Sequence, residues 1–355
     1  MVLNNKNILI TGGTGSLGKV LVRRLLSGEM GTPKKIVIFS RDEAKQHFMR
    51  VGYMHKKAVT DEVIYQRANE LLEFRIGDVR DFHSVSGALQ GMDVVFNAAA
   101  LKQVPTCEYF PYQAVMTNIS GPENIVRGIE EQHLPIETVV GVSTDKACKP
   151  VNVMGLTKAI QERVFIQANI RCPKTRFVCV RYGNVLASRG SVIPLFHDQI
   201  RNGGPVTITT TDMTRFLLSL DQAVDTIFAA VREGKRGDTY IPRVPSSRVT
   251  DIADVLIGDR PIKKIVTGIR PGEKLHEILV SEEERYRTIA RGDYYVIGSI
   301  LPEISDGEAI TRPVLNDEYS LAHNVMTIEQ TKALLKKFNL MLEDQVPNNE
   351  EELLR

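Results

Sequence analysis

Six short runs of apolar, often β-branched residues punctuate the first half of the chain: NILITGG, KKIVIFS, LEFRIGD, DVVFNAAA, ETVVGVST and RFVCVRYG. An amphipathic or capped stretch of helical period follows each of them, KVLVRRLL after the first being the clearest. Their alternation with helices is the signature of a doubly wound parallel sheet, fold class α/β. After Tyr182 the pattern loosens into GNVLASRGSVIPLF, GGPVTITTTDMTRF and IRPGEKLHE, with one more helical stretch from Asp221 to about Glu233. The expected organisation is a Rossmann domain over residues 1–180 with a returning helix around 216–233, and a smaller C-terminal substrate lobe over 181–355.

Composition narrows the function classes. The chain has 355 residues and 43% hydrophobic content, ample for a buried core. Its 45 Lys and Arg against 43 Asp and Glu leave a net charge of +2, with no basic stripe for nucleic acid. The four cysteines, Cys107, Cys148, Cys172 and Cys179, form no C-x-x-C pair and have no histidine at ligand spacing, so no metal is expected. No leader opens the chain and no apolar run reaches the 18 or so residues of a membrane span, so the expected setting is the reducing cytoplasm.

TGGTGSLG joins the first strand directly to the first helical pattern. Gly12, Gly15 and Gly18 fall where a dinucleotide fold needs a tight turn, close phosphate approach and close helix packing. Thr11, Ser16 and Leu17 flank them, and the helix amino terminus faces the pyrophosphate. The second strand ends FSRDEAKQ, where Ser40, Arg41 and Lys45 offer donors and positive charge for a 2′-phosphate while Asp42 comes one residue late. NADP is therefore expected rather than NAD. Asp78 and Val79 after the third strand are placed for the adenine, Ala98, Ala99 and Ala100 leave the backbone room beside the cofactor, and Lys102 stands at the mouth. Tyr182, closing the sixth strand, joins the cofactor set.

Thr144, Asp145 and Lys146 emerge at the carboxyl end of the fifth strand, where open α/β sheets bind ligands. Met154 and Lys158 are four apart on the next helix and share its face, which places Lys158 to hold the nicotinamide ribose. A literal Y-x-x-x-K at Tyr53 and Lys57 lies after the second strand, far in topology from this segment, and is set aside.

TGGTGSLG, FSRDEAKQ, GDVRD, AAALKQVP, STDKACKPVNVMGLTK, RYGNVLASRGSVIPLF, DMTRF and RPGEKLHE run in this order over about residues 8 to 280. Together they resemble the extended short-chain dehydrogenase/reductases that are UDP-N-acetylglucosamine 4,6-dehydratases, in particular the soluble enzymes of capsule and flagellin-glycan biosynthesis. Some of those carry tyrosine where this chain has Met154, and others carry methionine as here. A thioether does no acid or base work. The resemblance therefore implies that Asp145 protonates the departing 6-hydroxyl, that Lys146 takes the carbon 5 proton and that Thr144 relays the 4-hydroxyl proton. It further implies a homo-oligomer, leans towards inversion at carbon 5, and points to Lys102, Asn184, Arg189, Arg215, Arg270 and Glu273 for the UDP-sugar diphosphate. His197 and His276 read as ordinary polar positions. Two other functions stay open: a UDP-sugar 4-epimerase on the same scaffold, and a non-catalytic NADP-binding sensor.

Overall fold

Each of the six apolar runs becomes a strand: β1 (Asn7–Thr11), β2 (Lys35–Ser40), β3 (Leu72–Ile76), β4 (Val94–Asn97), β5 (Thr138–Thr144) and β6 (Arg176–Tyr182). The computed structural model describes residues 1–54, 62–186, 191–305, 313–322 and 325–344. All six strands are parallel and lie in the order β3-β2-β1-β4-β5-β6. The chain reverses direction across the sheet between β1 and β4, and ligands of open α/β sheets bind at the carboxyl ends of the strands beside such a switch. Helices α1 (Ser16–Ser27), α2 (Glu43–Met54), α3 (Glu62–Leu71), α4 (Phe82–Leu89), α5 (Val104–Tyr109), α6 (Pro111–Val115), α7 (Gly121–Glu131) and α8 (Val153–Arg171) occupy the connections.

Local chemistry fixes these helices. In α1 Leu21, Val22, Leu25 and Leu26 form one buried stripe, and Gly28 ends the helix in the left-handed region at φ 83°. Asp81 caps α4 by accepting from the amides of His83 and Ser84. Asn152 caps α8 by accepting from the Gly155 amide. Between α6 and α7 the chain makes one π turn, Met116–Ser120.

The chain divides into two compact units. The first comprises Met1–Tyr182, Leu220–Arg243 and Ile278–Tyr319. Its sheet continues past β6 with the parallel strand Thr239–Pro242 and then the antiparallel pair Tyr294–Ile297 and Thr288–Arg291, nine strands among the described residues. The sequence expectation put the 278–319 segment in the smaller lobe. A late hairpin without alternating helices carries no βα signal, and its strands join the sheet by antiparallel backbone pairing, helped by the Arg291 bond to the Tyr240 hydroxyl. The core under β1, β4 and β5 is built from Leu9, Val95, Val139, Phe165 and Phe177.

The second unit comprises Gly183–Ser219, Val244–Glu277 and the chain from Ser320. Helices Val192–Arg201, Val249–Ile257 and Ile328–Lys337 pack round Phe196, Leu217, Ile252 and Leu335. Two small strand pairs complete it, Val206–Ile208 with Lys264–Val266 and Thr214–Phe216 with Ser246–Arg248.

Candidate functional site

The turn after β1 is pressed against the segment after β4. Gly12 has φ +70°, and a Cβ there would lie 2.8 Å from the Ala99 Cα and 2.9 Å from the Ala98 carbonyl carbon. Only glycine supports both that conformation and that approach. Gly18 has a second close contact, its would-be Cβ falling 2.5 Å from Gly13 Cα, which seats α1 on the turn. Thr11 Oγ1 donates to Asn97 Oδ1 at 2.7 Å and accepts from the Ala99 amide at 3.3 Å, tying β1 to β4. Gly15 precedes α1 without a side-chain cap, and Ser16 and Leu17 open a first turn that holds no acidic residue. Those amides and the helix dipole make a phosphate cradle, so the residues present fit a dinucleotide.

At the end of β2, Ser40 Oγ accepts from Gln46 Nε2 at 3.1 Å and from Thr14 Oγ1 at 3.4 Å. Lys45 pairs with Asp42 at 2.6 Å and also donates its amide to that carboxylate, so its charge is locally matched. Arg41 stays exposed, its guanidinium 3.9 Å from Asp78 Oδ2. Arg80 grips the same carboxylate through Nε at 2.9 Å and Nη2 at 2.6 Å. Burial by itself would raise the Asp78 carboxyl, and the bonds from Arg80 outweigh it and hold it below its ordinary value. Val79 is buried against Gly121. Ala98 and Ala99 are half-buried, while Ala100 and Lys102 are exposed just beyond. Tyr182 is buried at the end of β6, which raises its hydroxyl pKa.

β5 ends in a single 3-10 turn, Asp145–Ala147, that carries the candidates Asp145 and Lys146 and is capped by the third, Thr144. Asp145 is fully buried; its Oδ1 accepts from Thr144 Oγ1 at 2.8 Å and from Lys146 Nζ at 3.2 Å. Its Oδ2 has no hydrogen-bond partner among the described residues. The start of α8 is pressed onto this turn, because a Cβ on Gly155 would fall 2.2 Å from the Lys146 carbonyl oxygen. Met154 is buried in an apolar cluster with Cys107 and Ala114. Lys158 is buried one turn later, where Nζ donates to Val142 O and Gln161 Oε1, both at 2.6 Å. Burial lowers its ammonium to about 8.

In the second unit Arg215 is buried and donates to Thr214 O at 2.8 Å, whereas Arg270 is exposed. Asn184 Oδ1 and Glu273 Oε2 are buried atoms with no partner among the described residues. Arg189 and Lys57 lie outside the described residues. His276 Nδ1 meets Thr214 Oγ1 at 2.7 Å and His197 Nε2 meets Leu340 O at 3.0 Å, each inside this unit. Tyr53 lies on α2.

Two groups escaped the sequence reading. Asn118, on the π turn, accepts from the Leu101 amide at 2.8 Å and donates to Leu101 O at 2.9 Å and Thr157 Oγ1 at 3.0 Å, joining the segment after β4 to α8. Arg181 is a buried cation within β6; its signal was a charged residue inside the apolar run RFVCVRY. No helix among the described residues is long and apolar enough to cross a membrane.

The family described as "Polysaccharide biosynthesis protein" matches residues 8–299. A relative from Rickettsia canadensis (strain McKiel) named "UDP-glucose 4-epimerase" is 40% identical over 352 residues, covering 96% of this chain and 98% of its own. The X-ray structure of Pen from Bacillus thuringiensis superposes with a TM-score of 0.84 at 32% identity, over 96% of this chain and all of that one. DesIV, a dTDP-glucose 4,6-dehydratase from Streptomyces venezuelae solved with NAD and TYD bound, shares the fold at 21% identity and TM-score 0.62, over 76% and 86% of the two chains.

Proposed function

The chain belongs to the polysaccharide biosynthesis protein family, and within it we propose that this protein is a UDP-N-acetylglucosamine 4,6-dehydratase that uses NADP. What carries the proposal is the contact of the half-buried Thr144 and Lys146 with the buried Asp145 at the carboxyl end of β5, with a thioether at position 154. A 4-epimerase moves only the 4-hydroxyl proton, which one acid–base group can do, and needs no proton transfer at carbon 5 or carbon 6. The dehydratase needs both.

A nicotinamide, when bound, accepts hydride from carbon 4 of the sugar and returns it to carbon 6. Thr144 Oγ1 passes the 4-hydroxyl proton to Asp145 across their 2.8 Å contact. The 4-ketone acidifies carbon 5, and Lys146, in its neutral form, takes that proton. Asp145, now protonated, gives its proton to the departing 6-hydroxyl and water leaves. Lys146 then returns a proton to carbon 5 as hydride reaches carbon 6, and the proton count closes within one turnover. Return by Lys146 to the face it deprotonated retains carbon 5; inversion, the outcome towards which the resemblance leans, takes the proton from solvent on the other face while Lys146 gives its own back to solvent, and either course yields a UDP-2-acetamido-2,6-dideoxy-hexos-4-ulose for surface polysaccharide or glycan assembly in the cytoplasm. Gly12, Gly15 and the first turn of α1 hold the pyrophosphate, Arg41 the 2′-phosphate, and Asn184, Arg189, Arg215, Arg270, Glu273 and Lys102 remain the candidates for the UDP-sugar. A homo-oligomer is expected.

The test is incubation with UDP-N-acetylglucosamine in deuterated water, followed by proton NMR. A 6-deoxy-4-keto sugar with deuterium at carbon 5 supports the reading, and its ring couplings report inversion or retention. The epimerase is the second reading, favoured by the name of the Rickettsia relative. A carbon 4 epimer with hydrogen retained at carbon 5 would sink the dehydratase in its favour.

A further inference from the structure

Arg181, on β6, is 3% exposed and its guanidinium holds two carboxylates from distant parts of the first unit. Nε and Nη2 donate to Glu162 of α8 at 3.0 and 2.6 Å. Nη1 and Nη2 donate to Glu284 at 2.7 and 2.8 Å, and Nη1 also reaches Leu279 O at 2.8 Å. Burial would lower the guanidinium, and the two carboxylates outweigh it and hold it well above its ordinary value. Each carboxylate then takes hold of one end of the catalytic turn. Glu162 Oε1 accepts from Ser143 Oγ at 2.5 Å, one residue before Thr144. Glu284 Oε2 accepts from Cys148 Sγ at 3.7 Å, one residue after Ala147. Glu284 is itself anchored, accepting from the Ser281 amide and donating its own amide to Ser281 Oγ, both at 3.2 Å.

We propose that Arg181 is a positioning residue: through Glu162 on one side and Glu284 on the other it clamps both ends of the Asp145–Ala147 turn and so fixes where Asp145 and Lys146 stand. The inference rests on the dehydratase reading for what the turn does, though not for the clamp itself. A guanidinium is a planar fork whose donors have fixed directions, so two carboxylates bound to one such group cannot shift independently. Removed from water, the pairing is enforced in a way that a surface ion pair is not.

Arg181→Met removes the hub and is the variant most exposed to misfolding, so Glu284→Gln and Ser143→Ala carry the test by weakening one arm each. Amide hydrogen exchange by NMR reads the turn directly, since the Lys146 amide bonds to Thr144 Oγ1 and the Cys148 amide to Asp145 O. Both variants are expected to speed exchange at these two amides by about tenfold or more with the amides of β1 and β4 unchanged. For UDP-N-acetylglucosamine, kcat should fall by up to about a hundredfold with KM little altered, the signature of misplaced groups rather than lost binding. Unchanged exchange at the turn, with a lower melting temperature and normal kcat per folded molecule, would overturn the clamp. Should the wild-type protein make no 4-keto sugar, the dehydratase reading falls while the exchange arm still decides the clamp.

Discussion

Asp145 and Lys158 are both buried, but for different work. The carboxylate of Asp145 is placed by two short contacts and leaves one oxygen over, so Asp145→Asn keeps the shape and removes the transferable proton. Dehydration should slow by about 10²- to 10⁴-fold with an unchanged melting temperature, read by NMR product assay and calorimetry. For Lys158 the consequence is thermodynamic, because burial has lowered its ammonium from 10.5 to about 8. Below pH 8 folded and unfolded chains both carry the proton, and the full burial cost is present. Between pH 8 and 10.5 the unfolded chain binds the proton that the folded chain has released, so folding stability rises with pH. Measured against Lys158→Met by urea unfolding at several pH values, the wild-type protein should gain up to about 3 kcal/mol across that window. A flat difference would show that the ammonium is not buried as described. The NADP proposal turns on Arg41, since Lys45 is already paired with Asp42. Arg41→Ala should weaken NADPH binding by about tenfold and NADH binding little, by fluorescence titration.

The contact of helix α8 with the turn after β5 is a packing device as much as a catalytic one. Gly155→Ala would drive a methyl to within 2.2 Å of the Lys146 carbonyl oxygen, so α8 or the turn must move. About 1–3 kcal/mol of stability should be lost, with activity reduced and dinucleotide affinity, which depends on α1, nearly intact. A variant with normal turnover would mean that α8 does not set the position of Lys146. Elements of this kind were legible where periodicity speaks. The first six strands stood out as short apolar runs each followed by a helical pattern, and the turn at Gly12 because a glycine cluster joins a strand to a helix; the parallel strand Thr239–Pro242 did not. The hairpin of Thr288–Arg291 and Tyr294–Ile297 did not, since it lacks a crossover helix to mark it. Nor did the partnership of Arg181 with Glu284, for two residues 103 positions apart leave no local pattern that could announce them. The pairing of Lys45 with Asp42 is a local i,i+3 contact and was open to the same sequence arithmetic that picked out Lys158.

At the scale of the whole molecule, ligand binding should appear as stability. UDP-N-acetylglucosamine at about 100 times its dissociation constant stabilises the native state by about 2.7 kcal/mol, so the melting temperature of the NADP-loaded protein should climb by several degrees. A bare dinucleotide-binding sensor would show no such increment. The interleaving of the two units carries a different consequence, for the order of synthesis. Strand Thr239–Pro242 acquires its outer neighbour only when Tyr294–Ile297 is made, so the nine-stranded sheet is still incomplete when the first six strands have left the ribosome. At about 5–20 residues per second that interval lasts on the order of ten seconds, during which β6 or its neighbour presents an unpaired edge to other chains. Codon choice and chaperone access over this stretch of the message would then govern how much of the protein reaches its native state.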